Sequence, residues 1–342
     1  MRRMLQIKKT ALGKVATGVL ERALALVLAL SAGAKAEPGA PLNNDASGTS
    51  DVGNLKFSVS WAAPKRVVVP MRMRYGLPTV PCSINGHGVW LILDTGSQAC
   101  VLEAATAREV GVHVINQPSA QVEVAGARGR EIDHLGIPEN VSIGDWHWQG
   151  LPFVIRTSPQ AVSRGSSGRA IAFNIVGMSA FEPMCSYVTL DYRHHEVVFG
   201  FKQTFRPASS AAFHQPFELH HGSPSVKVTH GSQEWNALLD TGASSKFEIN
   251  RASADQLGLR AHVRWVSASY VGLGDPQRPA NQKWEFLDLA NINCLGHRWK
   301  SIEALAVDDE SKIGSGMCQA LRLTVDLAGS QIWIEGGGAV GE

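Results

Sequence analysis

Short runs of β-branched and other apolar residues recur along the chain and are separated by turn residues. The clearest runs are residues 65–73, 89–93, 122–124, 188–190 and 197–199. In proteins built mainly from strands, runs of this kind are bounded by glycine, proline, asparagine and aspartate. The pattern therefore predicts a mostly β fold with little helix.

One of these runs occurs twice. The sequence LILDTGS at residues 91–97 returns as ALLDTGA at residues 237–243, an offset of 146 positions. A turn dipeptide precedes each copy, Asn85-Gly86 in the first and His230-Gly231 in the second, and Asn-Gly is the strongest short hairpin signal. A repeat at this spacing indicates that one domain was duplicated within the chain.

The similarity between the two units continues downstream of the repeat. Residues 104–110 and 251–257 each predict one or two helical turns. Each is closed by a glycine, Gly111 or Gly258, which suits the left-handed position after a helix end. The two units also share a short threonine-containing run, TLD at residues 189–191 and TVD at residues 324–326.

Shifts in composition divide the chain of 342 residues into segments. Residues 37–55 are rich in Pro, Gly, Asn, Asp and Ser, which is typical of a flexible linker. Residues 203–213 carry no strand pattern and lie between the two units. We therefore predict a signal peptide at residues 1–36, the linker at residues 37–55, an N-terminal lobe at residues 56–205 and a C-terminal lobe at residues 213–336.

The first 36 residues have the pattern of an export signal. A basic start is followed by the apolar run ALALVLALSAGA at residues 23–34 and by Ala34-Lys35-Ala36, which suits a signal peptidase. A twelve-residue helix rises only about 18 Å, whereas a bilayer core is roughly 30 Å thick. We expect cleavage and a periplasmic or secreted protein without stable membrane insertion, with an uncleaved N-terminal anchor as the alternative.

The net charge argues against a nucleic-acid partner. The chain has 32 Lys and Arg and 30 Asp and Glu, but seven of the basic residues and one of the acidic ones lie in residues 1–36. The rest of the chain keeps 25 basic and 29 acidic residues, a net charge of −4. Such a surface lacks the positive charge that binds a phosphate backbone.

The chain has five cysteines, an odd number, so at least one thiol stays free. An oxidising compartment would permit one or two disulfides, whose connectivity the sequence does not define. Cys100 follows the first Asp-Thr-Gly closely, and we interpret it as a buried structural thiol rather than a nucleophile.

Other catalytic motifs are absent from the sequence. The histidine pairs at residues 194–195 and 220–221 have no His-Glu-X-X-His pattern and no acidic partner at ligand spacing, so no catalytic metal is expected. There is no Gly-X-Ser-X-Gly sequence and no glycine-rich phosphate-binding pattern that ends in Gly-Lys-Ser/Thr. We therefore expect neither a metal nor an organic cofactor.

The duplicated strand, Asp-Thr-Gly loop and short helix resemble the aspartic proteases, and the lobes are closer to the retropepsin-like branch than to the pepsins. The resemblance covers residues 65–335 and implies an all-β, two-lobed acid-protease fold with two homologous barrel-like lobes. It assigns Asp94 and Asp240 as the catalytic pair, one from each lobe. Two carboxyls a hydrogen bond apart cannot both ionise, so they share one proton and supply an acid and a base together.

The residues that follow each aspartate fit supporting roles in such a loop. Thr95 and Thr241 correspond to family residues that hydrogen-bond across the lobes. Gly96 and Gly242 let the backbone turn beside each carboxylate. Ser97 differs from its counterpart Ala243. On the family's loop geometry we expect the Ser97 hydroxyl to bond Asp94, which places the shared proton preferentially on Asp240.

The resemblance also implies segments behind and above the dyad. Residues 175–177 (IVG) and 313–316 (IGSG) match the hydrophobic segment behind each catalytic loop. The candidate flaps over the substrate contain Gly126 and Gly129 in the first lobe and Tyr270 and Gly272 in the second. The alternative for both is an ordinary glycine-rich surface hairpin.

These observations predict an aspartic endopeptidase that acts on peptides or proteins as a monomer with pseudo-twofold lobes. A catalytically inactive peptide-binding or scaffolding member of the fold is the alternative. Pairing of each lobe with a second chain is also possible, although the tether within one chain favours intramolecular pairing. Substrate preference, and whether residues 37–55 form a propeptide, stay open at this level.

Overall fold

The structure is a computed structural model that describes residues 45–52, 55–126, 129–156, 173–259, 262–266 and 282–336. The predicted signal peptide at residues 1–36 lies outside the described residues. Among the described residues, no helix has the length and apolar character needed to cross a membrane.

Twenty-seven strands form most of the described chain. In the first part they are β1 (Asp45–Val52), β2 (Leu55–Ala62), β3 (Arg66–Pro70), β4 (Arg72–Arg74), β5 (Leu77–Ile84), β6 (His87–Leu93), β7 (Val101–Glu103), β8 (His113–Val114), β9 (Gln121–Gly126), β10 (Gly129–Ile137), β11 (Val141–Ile143), β12 (Trp146–Gln149), β13 (Phe153–Arg156), β14 (Ile175–Val176), β15 (Tyr187–Asp191) and β16 (Glu196–Gly200). In the second part they are β17 (Phe213–Pro216), β18 (Glu218–His220), β19 (Ser223–His230), β20 (Gln233–Asp240), β21 (Phe247–Asn250), β22 (His262–Val266), β23 (Gln282–Cys294), β24 (His297–Val307), β25 (Lys312–Gly314), β26 (Arg322–Asp326) and β27 (Gln331–Glu335).

The described helices are short, and two of them follow the repeated loops as predicted. They are α1 (Ala104–Glu109), α2 (Met178–Met184), α3 (Arg251–Gln256) and α4 (Ser315–Cys318), with a 3₁₀ turn at Pro118–Ala120. The Asn250 side chain caps α3 by accepting hydrogen bonds from the amides of Ala252 and Ser253. Gly111 and Gly258 lie just after α1 and α3 with φ of +67° and +66°, the left-handed conformation that their sequence positions predict.

The strands form three sheets. A 13-stranded sheet takes its strands from residues 45–176, and an 8-stranded sheet contains β18–β25. In the first of these sheets, β5 and β6 form a hairpin whose turn residues, Asn85 and Gly86, have φ of +50° and +84°. Positive φ at both positions matches the right-handed twist of the flanking strands, so this hairpin prediction is confirmed. The all-β, two-lobed fold class predicted from the sequence is confirmed as well.

The third sheet joins the two units. It has six strands in the order β17-β27-β26-β15-β16-β3, three from each part of the chain. Its central pair, β15 and β26, brings together the two threonine runs found in the sequence, with Thr189 directly opposite Thr324. Their hydroxyl oxygens are 2.7 Å apart and both residues are fully buried. The duplicated segments therefore meet each other at the centre of the molecule.

An aromatic cluster packs the first unit against this central sheet. The rings of Trp146 and Trp148 are 4.5 Å apart, and Trp146 also lies 5.1 Å from Phe199 and 5.3 Å from Phe201. Both tryptophans are buried in the core. Burial of such large apolar side chains dominates core energetics and fixes the first lobe on the joining sheet.

The structure differs from the linker prediction at residues 45–52. This segment forms β1 and pairs with all eight residues of β2, from Asp45 opposite Ala62 to Val52 opposite Leu55. Strand pairing uses backbone groups that every non-proline residue carries, so a polar composition does not exclude it. The linker prediction is therefore wrong for these eight residues.

The five cysteines are all buried as free thiols. Cys100 is fully buried, and burial raises the pKa of its thiol to about 11. A thiol that stays protonated is a poor nucleophile. The interpretation of Cys100 as a structural residue is confirmed.

The paired hydroxyls of Thr189 and Thr324 give a test of how the two units are joined. Replacing either one with valine keeps the shape but leaves the other hydroxyl buried without its partner, which costs about 1–3 kcal/mol of unfolding free energy. The double variant T189V/T324V removes both hydroxyls and should be more stable than the sum of the single losses predicts. Denaturant unfolding of the four proteins measures this coupling, and strictly additive losses would contradict the pairing.

Candidate active site

Two loops carry the repeated Asp-Thr-Gly sequence, and each loop follows the buried end of a strand. Asp94 follows β6, and its amide donates to the carbonyl of Val176 at 3.1 Å. Asp240 ends β20 and lies opposite Gly314 of β25 in a parallel pairing. Each aspartate is therefore held at its main chain by a strand from its own unit.

The threonines of the two loops cross-link the units. The Thr95 amide donates to the Thr241 hydroxyl at 3.0 Å, and the Thr241 amide donates to the Thr95 hydroxyl at 3.1 Å. The Thr95 hydroxyl donates in turn to the Leu239 carbonyl at 2.5 Å, and the Thr241 hydroxyl donates to the Leu93 carbonyl at 2.6 Å. Both threonines are buried, so these four symmetric hydrogen bonds hold the loops at one separation.

The glycines of the loops bring the two carboxyls together. The amides of Gly96 and Gly242 donate to Oδ1 of Asp94 and Asp240 at 2.8 and 2.9 Å. A Cβ atom on Gly96 would lie 2.3 Å from Cγ of Asp240, and one on Gly242 would lie 2.2 Å from Cγ of Asp94. Each carboxyl therefore fills the space that a side chain on the opposite loop would need.

In this arrangement the charge of one carboxyl changes the pKa of the other. Burial, and next the negative charge of Asp240, raise the pKa of Asp94 to about 8. The Gly96 amide and the positive charge of Lys312 oppose this rise and are outweighed. Near neutral pH, Asp94 therefore holds a proton that the two carboxyls can share.

Lys312 is a site residue that the sequence analysis missed. Its Nζ atom lies 3.6 Å from Oδ2 of Asp240, and its side chain is only 15% exposed. Lys312 pairs with Leu238 of β20, whereas the corresponding position in the first lobe, opposite Ile92, is Ile175. The second lobe thus places a cation beside its aspartate where the first lobe has an apolar residue.

A second polar residue accompanies the lysine. Glu248 lies opposite Lys312, and it replaces Val101, which lies opposite Ile175 in the first lobe. Glu248 is buried and accepts a hydrogen bond from the Ser245 hydroxyl at 2.9 Å. Burial opposes the charge on Lys312, but the surrounding carboxylates, Asp240 first and Glu248 next, leave the pKa of Lys312 raised. The lysine therefore stays positively charged.

The expected role of Ser97 is wrong. Its hydroxyl donates to the main-chain carbonyl of Ala99 at 2.8 Å, and a hydroxyl has only one proton to give. The expected bias of the shared proton toward Asp240 loses this basis. The cation beside Asp240 and the raised pKa of Asp94 favour the opposite bias, with the shared proton on Asp94.

The two hydrophobic-glycine segments lie behind the loops, as predicted. A Cβ atom on Gly177 would lie 2.4 Å from the Ala99 carbonyl oxygen, and one on Gly314 would lie 2.2 Å from that of Ser245. The next amides, of Met178 and Ser315, donate to the carbonyls of Ser97 and Ala243, both at 2.8 Å. These contacts support both loops from behind.

The structure describes only part of the predicted flaps. Gly126 ends β9, Gly129 begins β10, and the two residues lie opposite each other in an antiparallel hairpin. Tyr270 and Gly272 lie outside the described residues. A flap role stays a prediction for both segments.

Comparisons with known proteins give a family match for part of the first lobe. Residues 80–180 match the model of a family described as aspartyl protease, and this range includes the first Asp-Thr-Gly loop. No curated protein matches the chain. Among solved structures, an aspartic proteinase from Irpex lacteus is similar at 10% identity and a TM-score of 0.45, over 79% of this chain and 96% of that one. The family match confirms the predicted resemblance to the aspartic proteases over residues 80–180.

The contact between Gly96 and the opposite carboxyl can be tested by adding one methyl group. Gly96→Ala places its Cβ inside the Asp240 carboxyl and should destabilise the protein by about 3 kcal/mol or more. Gly88→Ala on β6 is the matched control, because a Cβ there meets nothing within 4 Å. Thermal unfolding of both variants measures the difference. Equal stabilities would show that the loops do not approach each other as described.

Proposed function

We propose that this protein is an aspartic endopeptidase in which Asp94 and Asp240 activate a water molecule. The observation that carries the proposal is the pair of carboxyls, each packed against the glycine of the opposite loop. Such a pair, with one shared proton, provides a general acid and a general base at one point. The family match over residues 80–180 supports this class of reaction.

The proposed reaction uses the asymmetry of the pair. Asp240, which lies beside Lys312, accepts a proton from the water as the water oxygen attacks the peptide carbonyl carbon. Asp94 gives its proton to the carbonyl oxygen, which forms a tetrahedral diol. Asp240 then gives its proton to the amide nitrogen, Asp94 takes a proton from one hydroxyl of the diol, and the carbon–nitrogen bond breaks. The products are a carboxylic acid and an amine, and the pair again holds one proton.

The four threonine hydrogen bonds hold the two aspartates at a fixed separation, which the proposed reaction requires. An acid and a base that act on the same water must keep their separation while charge moves between them. Bonds that run from each threonine to the main chain of the opposite loop hold both aspartates in that position. The glycines complete the site by leaving room for the carboxyls alone.

Export and oligomeric state belong to the same proposal. We infer an exported monomer that acts on peptides or proteins. Both loops come from one chain and bond directly to each other, which supports intramolecular pairing of the lobes. The basic, apolar and Ala-X-Ala pattern of residues 1–36 supports export.

Replacing either aspartate with asparagine tests the proposed activity. Asp94→Asn and Asp240→Asn keep the shape of the side chain but remove the shared proton chemistry, so kcat for cleavage of a denatured protein should fall about 10²–10⁴-fold. Asp145→Asn, at an exposed turn, is the control and should keep full activity. Unchanged cleavage by either dyad variant, or a wild-type protein that binds peptides without cleaving them, would contradict the proposal.

Lys312 should set the pH range of the reaction. Its charge stabilises the ionised form of the pair, so Lys312→Met should raise both apparent pKa values and shift both limbs of the kcat/KM profile to higher pH, by about one unit. In the unmodified protein the alkaline limb should lie near the Asp94 pKa of about 8.

Two further variants separate charge from packing. Lys312→Arg keeps the charge and should keep the profile near that of the wild type. Ile175→Met changes the corresponding position of the first lobe without changing charge, and should leave both limbs in place. A profile of Lys312→Met that matches the wild type would show that the lysine does not act on the pair.

A further inference from the structure

A cluster of three potential metal ligands lies on the second lobe. It consists of His220, His221 and Glu310, whose ligand atoms all lie within 4.8 Å of one another. The Nδ1 atom of His220 is 2.8 Å from Oε1 of Glu310, and Nε2 of His221 is 3.8 Å from the same oxygen. The sequence shows the histidine pair but not its acidic partner, because Glu310 is distant along the chain.

A tight turn brings the two adjacent imidazoles to the same carboxylate. His220 ends β18 opposite Ser223, so His221 and Gly222 form a two-residue hairpin turn. Both turn residues have positive φ, +50° and +77°. In an extended strand, neighbouring side chains point to opposite faces, whereas this turn leaves the two rings only 4.3 Å apart. Both imidazoles can therefore reach one ion.

The donor set and its spacing suit a transition metal. Two imidazoles and one carboxylate are the ligand types of many three-residue zinc sites, and the fourth position is taken by water. With ligand bonds of about 2.0–2.1 Å, neighbouring donors on a tetrahedral ion are about 3.3 Å apart. The observed separations of 2.8 and 3.8 Å lie on either side of that value. Both histidines are exposed, which leaves a side open for water.

The turn is also joined to the first lobe. The Gln98 side-chain amide donates to the His221 carbonyl, and the Ser223 hydroxyl donates to the Gly96 carbonyl at 3.1 Å. A Cβ atom on Gly222 would lie 3.2 Å from Cγ of Gln98, so the turn packs closely on the segment that follows Asp94. An ion that fixes this turn would reinforce a contact between the lobes.

We propose that His220, His221 and Glu310 bind one divalent transition-metal ion, such as Zn²⁺, and that the ion stabilises the folded protein through this turn. The proposal concerns binding and stability, and it does not depend on peptidase activity. The ion is not part of the reaction at Asp94 and Asp240.

The second histidine pair provides a matched control. His194 and His195 are also adjacent, and Nδ1 of His194 lies 2.9 Å from Oδ2 of Asp191. That same oxygen is 3.4 Å from Nε of Arg322, a cation that repels a metal ion. Among the described residues, this pair belongs to no group of three ligands. The two pairs thus differ in whether a third donor completes the site.

Calorimetric titration of the full chain, produced without a histidine tag, tests the proposal with Zn²⁺ alone. The titration should show one Zn²⁺ ion bound per chain. Thermal unfolding at saturating Zn²⁺ should show a rise in Tm of about 3 °C or more, and a chelator should reverse it. His220→Ala, His221→Asn and Glu310→Gln should each weaken the affinity about tenfold or more. Asparagine is chosen at position 221 because it tolerates positive φ.

The control variant has alanine at His194 and asparagine at His195, whose φ is +55°, and it should bind Zn²⁺ with unchanged affinity. Unfolding without metal checks that each variant is folded, and the buried cysteines do not compete for the ion. Absence of saturable binding by the wild type would overturn the proposal. Affinity that survives all three ligand variants, or that is lost in the control variant, would overturn it as well.

Discussion

The two aspartate carboxyls lie so close to the opposite Asp-Thr-Gly loops that the glycine position of each loop has no room for a side chain, and the rest of the structure is built around this contact. Cβ atoms on Gly96 and Gly242 would lie 2.3 and 2.2 Å from the opposite carboxyl carbons, well inside contact distance. Carboxylates this close repel each other strongly when both are ionised. The pair is stable when it holds a proton, which the raised pKa of Asp94 reflects. The threonine hydrogen bonds, the supporting segments and the joining sheet keep the two loops together against that repulsion.

A symmetric scaffold here carries an asymmetric charge. The threonine and glycine contacts have the same geometry in both loops, to within about 0.1 Å in each equivalent hydrogen bond. The difference lies one strand away, where Lys312 and Glu248 replace Ile175 and Val101. A partly buried cation beside one member of a carboxyl pair distinguishes the two members without disturbing their positions. Because the charged residues lie on a neighbouring strand, the two lobes differ in charge while their loop backbones keep the same geometry.

The sequence predicts those features that depend on local pattern or on repetition. The repeat at residues 91–97 and 237–243 leads to the paired loops, and the hairpin glycines and helix stops follow from their residue types. What the sequence does not predict depends on partners from distant strands. Lys312 reaches Asp240 through the register of β25 against β20, and Glu310, which is distant along the chain, pairs with His220 through its side chain. The Ser97 hydroxyl prefers a carbonyl two residues away, and β1 pairs through backbone groups that composition does not reveal.

The ionisation of the two carboxyls is the measurement that tests this account most directly. Carbon-13 NMR of protein labelled at the aspartate carboxyl carbons follows it, with Asp94→Asn and Asp240→Asn assigning the two resonances. The account predicts that the pair loses its two protons in well-separated steps, the last of them near pH 8. In the Asp240→Asn variant, that last step should move to lower pH, because the neighbouring negative charge is gone. Two carboxyls that ionise independently below about pH 5 would contradict the account, since they could not share a proton at neutral pH.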